Sequence, residues 1–213
     1  MSKSQHHGNI FEHRVRKAFG VVETLPVQYT ARFDIESAHD PEGLPTSIKA
    51  TGTGIVCMAD ARRVFEIQEP FRLVVGAYHQ VSGQKVFHQV HEFHVQPDEW
   101  QTLQGHLPLG QVAAFHQKLT EFKEGDHEAA RQWAKTRKAE LGTQYPEAKL
   151  QLTPKIDSKK QRRLQASIHL KDLIDAVADH RCHQTDYRGL KLPLTLASTS
   201  RERRKPSESQ EPG

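Results

Sequence analysis

Two short extended segments, residues 32–36 (Arg-Phe-Asp-Ile-Glu) and 46–50 (Thr-Ser-Ile-Lys-Ala), flank a loop that carries Asp40, Gly43 and two prolines, Pro41 and Pro45. That pattern predicts a hairpin. Side chains two apart in a strand share a face, so Asp34 and Glu36 project together, as do Ser47 and Lys49. One or two carboxylates and an ammonium then converge at strand ends, a setting suited to a divalent cation and an activated water.

The segments around this hairpin alternate between helix and strand. Ile10, Phe11, Val15, Ala18 and Phe19 fall at helical spacing over residues 9–20, with Gly20 as a stop. A first strand is predicted over 29–36. After Lys49, the Thr51-Gly52-Thr53-Gly54 link leads into a continuous apolar run, 55–59, which predicts a buried strand. Its two glycines match neither GxGxxG nor GxxxxGK[ST], which excludes a nucleotide phosphate loop. Further strands are predicted over 71–78 and 84–95, with a turn at Gly83. His88, His91 and His94 lie three apart on the second of these, so their faces alternate and a zinc site is not expected. Residues 110–141 read as two helices, the second capped by Asp126 with a basic side of Arg131, Lys135, Arg137 and Lys138. Residues 164–170 alternate as a strand, 171–177 read as a short helix and 187–196 as a last strand.

At 213 residues the chain is long enough for a core, while 36% hydrophobic residues and a mean hydropathy of −0.71 point to a polar surface. A net charge of +4 and a pI near 9.1 suit a polyanionic partner without requiring one. Cys57 and Cys182 form no motif, no apolar run spans a membrane and no signal segment follows Met1, so a cytoplasmic protein is expected. Residues 1–199 are taken as one domain, with a core that holds the carboxylates and the ammonium over about 8–80 and a helical, basic part over about 110–196. Residues 200–213, nearly devoid of apolar side chains, read as a disordered tail.

Asp34 and the Ser47-Ile48-Lys49 triplet resemble the PD-(D/E)xK nuclease superfamily, whose signature is an acid on one strand and acid-x-Lys on the next. Phe33 stands where proline is usual, and Ser47 where the second acid is expected. Gly8, Glu12 and Val15 match the Gly-x-x-x-Glu-x-x-Val pattern of that superfamily's opening helix. Residues 47–80, including Asp60-Ala61-Arg62-Arg63, look like type II restriction endonucleases. The resemblance implies an α/β fold with a restriction-endonuclease-like core, a central mixed sheet flanked by helices. It implies Mg2+ (or Mn2+) held by Asp34 and the Ile48 carbonyl, with Glu12 or Glu36 supplying the acid lost at Ser47. Lys49 would orient or deprotonate the attacking water, and Ser47 would hold a metal-bound water. The substrate would be double-stranded DNA, cut at a short sequence by a homodimer whose host carries a cognate DNA methyltransferase. Arg62, Arg63, Lys159, Lys160, Arg162 and Arg163 are candidate phosphate contacts. Two alternatives stand beside this: a structure-specific repair or junction-resolving nuclease, and a non-catalytic DNA-binding protein with a degenerate nuclease fold.

Overall fold

The computed structural model describes residues 3–21 and 32–196. Its spine is a pair of long strands, β3 (Phe71–Val81) and β4 (Gln84–Val95), joined by a turn in which Ser82 and Gly83 both have positive φ. Apolar and β-branched side chains make both strands fit a sheet buried on two sides. Strand β1 (Thr46–Thr51) runs parallel to β3, while β4 is antiparallel to β3 and takes β7 (Asp179–His183) and β10 (Leu194–Leu196) on its far side. The result is a five-stranded mixed sheet with β1 at one edge.

Helix α1 (Lys3–Ala18) covers one face. Its Phe11, Val15 and the following Phe19 pack with Ile48, Val74, Phe87 and Val90. Phe11 and Phe87 stack at 4.4 Å, and a Cβ on Gly76 would lie 2.4 Å from the Phe11 ring, so glycine permits this approach. The opposite face, with Phe71, Leu73, Val75 and Phe93, packs against a second layer. That layer is a three-stranded antiparallel sheet of β2 (Ile55–Asp60), β6 (Arg162–His169) and β5 (Gln151–Ile156). Around it lie α2 (Ala61–Phe65), α3 (Pro97–Gln104), α4 (Leu109–Glu121), α5 (His127–Gln144) and α6 (Leu170–Ala176). The protein is thus α/β, with a mixed central sheet flanked by helices. No helix among the described residues is long and apolar enough to cross a membrane.

Three expectations need correction. The strand predicted over 29–36 is reduced to a single bridge between Ile35 and Thr46, with residues 29–31 outside the described residues. Strand β2 is not buried throughout: Val56 and Met58 face the core, whereas Ile55 is 47% exposed and Cys57 is exposed, because only one side of the small sheet is covered. The last strand is broken into β8 (Asp186–Tyr187), β9 (Leu190–Lys191) and β10, since Arg188 and Gly189 turn with positive φ and Pro193 interrupts the ladder. Helix α3 and strand β7 were not foreseen, and the tail over 200–213 lies outside the described residues.

Candidate active site

Asp34 is fixed by main-chain bonds before its side chain does anything. The Asp34 and Ile35 amides both donate to the Thr46 carbonyl at 2.9 Å, and the Thr46 amide donates back to Ile35 at 2.8 Å. Past this point the outer edge of β1 meets a side chain instead of a strand. Asp34 Oδ2 accepts from the Ile48 amide at 2.6 Å and from Lys49 Nζ at 2.7 Å. The same ammonium donates to the Ile48 carbonyl at 3.1 Å. The carboxylate therefore takes over a pairing position of the strand, which explains why residues 32–36 form no longer ladder.

Ser47 and Lys49 register with Leu73 and Val75, on the face away from α1, while Ile48 points toward α1. Glu12 comes from α1, and the two faces meet around the free edge of β1. Burial pushes the Glu12 carboxyl above the usual carboxylate range, and the charge on Asp34 pushes it the same way. Lys49 and Arg16 act against this, Arg16 at 3.6 Å. Glu12, Asp34 and Lys49 thus share one electrostatic environment, in which two carboxylates compete for limited positive charge.

Because the native state holds the Glu12 proton more tightly than the unfolded chain does, anionic Glu12 lowers stability above its native pKa. That cost fades as pH falls through the native pKa and is absent once the unfolded group is also protonated. Glu12→Gln is therefore expected to be more stable than wild type at about pH 8, the difference vanishing toward about pH 4. Denaturant titrations at both pH values check this, and equal stability at the higher pH would contradict it.

The other residues predicted for this site do not join it. Glu36 precedes a 3-10 turn at Ser37–His39 without capping it through its side chain, is exposed, and makes no hydrogen bond or ion pair with Asp34, Glu12 or Lys49. Residues 32–34 are bends and the chain turns into the 3-10 segment directly after Glu36, so the regular strand that would give Asp34 and Glu36 a shared face is never built. Ser47 is 5% exposed, and its hydroxyl makes no hydrogen bond to any described residue. Among the described residues no group of three or more His, Cys, Asp or Glu side chains is arranged to hold a metal ion. A cation here would rest on Asp34, Glu12 and the Ile48 carbonyl. These oxygens fit Mg2+ or Mn2+ chemically, and the Lys49 ammonium already occupies the position of a positive charge shared by Asp34 Oδ2 and the Ile48 carbonyl.

The basic candidates divide. Arg62 and Arg63 are exposed on α2, with Arg62 paired to Glu66 at 3.8 Å. Asp60 caps that helix, accepting from the Arg63 amide at 3.2 Å. Lys159, Lys160 and Arg163 are exposed. Arg162 is not available to a ligand: it is buried and donates to the carbonyls of Asp157 (3.0 Å), Gln161 (2.8 Å) and Lys123 (2.8 Å). It braces the β5–β6 turn against the α4–α5 connection.

One group was missed. Arg72, fully buried on β3, meets the Asp40 carboxylate, Glu42 at 2.7 Å and Glu92 at 3.6 Å. Asp40 in turn accepts from the amides of Glu42 (2.9 Å) and Leu44 (3.3 Å) and from the Thr46 hydroxyl (3.1 Å). Tyr187 donates to Glu92, and Arg188 reaches Glu42 at 2.7 Å. This network anchors the loop between Asp34 and Lys49. Its sequence signal was a lone arginine inside the apolar run Phe71–Val75, a position where charge is tolerated only when paired.

No protein-family model matches the chain, and neither a curated protein nor a solved structure matches it.

Proposed function

We propose that the protein is a divalent-metal-dependent endonuclease of restriction-endonuclease-like fold, hydrolysing phosphodiester bonds of double-stranded DNA at a short sequence as a cytoplasmic homodimer. A cognate DNA methyltransferase in the host goes with that reading. The observation that carries it is the convergence at the β1 edge. Asp34 Oδ2 and the Ile48 carbonyl share one positive charge, and Glu12, its carboxyl raised by burial and by Asp34, stands beside them. A site that brings carboxylates together against their mutual repulsion is one that a dication would relieve.

Mg2+ bound there supplies electrostatic stabilisation of the charge that develops on the phosphoryl oxygens. Asp34 and Glu12 would hold the ion, and the Asp34 orientation is set by the Ile48 amide. Lys49, 2.7 Å from Asp34 Oδ2, would orient the attacking water and offset charge at the scissile phosphate. Ser47 contributes no carboxylate, and a hydroxyl without a partner among the described residues is all it offers for holding a water. Exposed Arg62, Arg63, Lys159, Lys160 and Arg163 remain the candidate phosphate contacts.

The second reading, a DNA-binding protein with a degenerate nuclease fold, is favoured by one observation: neither Ser47 nor Glu36 supplies a further carboxylate. Incubation with bacteriophage DNA in Mg2+, with an EDTA control, separates the possibilities. Discrete fragments that EDTA abolishes are expected; cutting of branched DNA alone would transfer the proposal to a structure-specific nuclease. Binding without cutting of any of these DNAs in Mg2+ would leave only the degenerate reading.

A further inference from the structure

The β3–β4 hairpin carries a second cluster of ligating side chains, unconnected with the carboxylates. His79 on β3 and His88 on β4 face each other with their Nδ1 atoms 3.2 Å apart and ring centroids 5.1 Å apart. They meet because the ladder shifts register between Ala77 and Tyr78, where β4 uses one more residue, His88, than its partner strand. The alternation expected of His88 and His91 is broken by that extra residue.

We propose that His79 and His88 form a two-histidine chelate for a borderline divalent transition-metal ion such as Ni2+, Cu2+ or Zn2+. Two imidazole nitrogens on one ion at about 2.0–2.1 Å are separated by roughly 2.8–3.4 Å for bond angles between octahedral and tetrahedral. The observed separation falls inside that interval without movement of either strand. In the free protein only one Nδ1 can carry a proton in this contact, so one lone pair already points at its neighbour. On chelation that proton moves to the other ring nitrogen, and both Nδ1 lone pairs face the ion. His79 is exposed and His88 half-buried, so water can complete the coordination. Imidazole selects these ions over Mg2+, which separates this site from the oxygen ligands at β1.

The other close pair is less suited. His91 Nδ1 lies 3.0 Å from His180 Nε2, but His91 is 5% exposed and its ring stacks with His180 and Phe93. Space for coordinated water is lacking among stacked rings, and this pair serves packing.

The test is calorimetric titration of the full chain with Ni2+ alone. The chain carries 14 histidines, including adjacent His6 and His7, so wild type is compared with variants. His79→Asn and His88→Asn are each expected to weaken one site by about tenfold or more, and the double variant to be no worse than either single. His180→Asn is expected to leave that site intact. Circular dichroism confirms that the variants fold. Identical isotherms for wild type and both single variants, additive losses in the double variant, or loss of the site in His180→Asn would each overturn the proposal. DNA cleavage is not read in this test, so its outcome is independent of the nuclease assignment.

Discussion

Asp34→Asn and Lys49→Met are each expected to lower Mg2+-dependent DNA cleavage by about a thousandfold, with DNA binding and folding retained. Asparagine keeps an oxygen for the Ile48 amide, which Asp34 Oδ2 accepts at 2.6 Å, so the local backbone retains its partner. What it loses is the negative charge that would hold the ion. Methionine preserves the aliphatic stem of Lys49, which is half-buried, but removes the ammonium that bridges Asp34 and the Ile48 carbonyl. Cleavage rates on plasmid DNA, with binding measured in Ca2+ or without metal, separate chemistry from affinity. Undiminished cleavage by either variant would remove the residue from the mechanism. Loss of binding in parallel with cleavage would assign it to substrate recognition.

The second large effect is on stability. Arg72→Met is expected to destabilise the fold by about 3–5 kcal/mol, because truncating one member of a buried ionic group strands the others. The Arg72 and Asp40 side chains are completely buried, and Glu92 is nearly so. Burial pushes the Glu92 carboxyl up, but hydrogen bonds from Tyr187 and His94, with the charges of Arg188 and Arg72, more than offset it and leave it below the usual range. Glu92 thus adds stability above the ordinary carboxylate pKa, lost as pH falls through its lower native value; removing Arg72 shrinks that contribution. For a chain of this size the loss corresponds to a fall in Tm of roughly 10 °C. Thermal unfolding at neutral pH measures it directly. A change within about 2 °C would mean that the carboxylates find other partners or take up protons without loss. Asp40 also ties down the amides of Glu42 and Leu44, so any active fraction of the variant should hold Asp34 less firmly against β1.

The long elements were legible because periodicity decides them. Strand β4 spans the predicted residues, β3 extends three beyond the predicted end, and the two helices after Gly110 follow their apolar stripes. The placement of Asp34 beside Ile48 and Lys49 was also readable, since a turn rich in proline and glycine allows few other pairings. The errors lie where tertiary partners overrule local pattern. An apolar run such as residues 55–59 looks the same whether one side or both are covered, and only the neighbouring β6 and the uncovered side decide it. Glu36 satisfied the two-residue spacing, yet residues 32–34 bend instead of running as a strand, so that spacing does not place it beside Asp34. Arg162 sat in the densest basic cluster and still became a buried brace, because three main-chain carbonyls converge on its guanidinium. Charge density in sequence does not distinguish a phosphate contact from an internal clamp.

On the proposed reading, Glu12, Asp34 and the Ile48 carbonyl together bind a hard divalent cation. Mn2+ binding, followed by electron paramagnetic resonance of the free ion in wild type, Asp34→Asn and Glu12→Gln, tests it most directly, on a His79→Asn background that removes the competing imidazole pair. One saturable site in the parent protein, abolished by Asp34→Asn and weakened by Glu12→Gln, is the predicted result. Binding unchanged by both substitutions, or absent from the parent, would contradict the assignment of this edge of β1 as a metal centre.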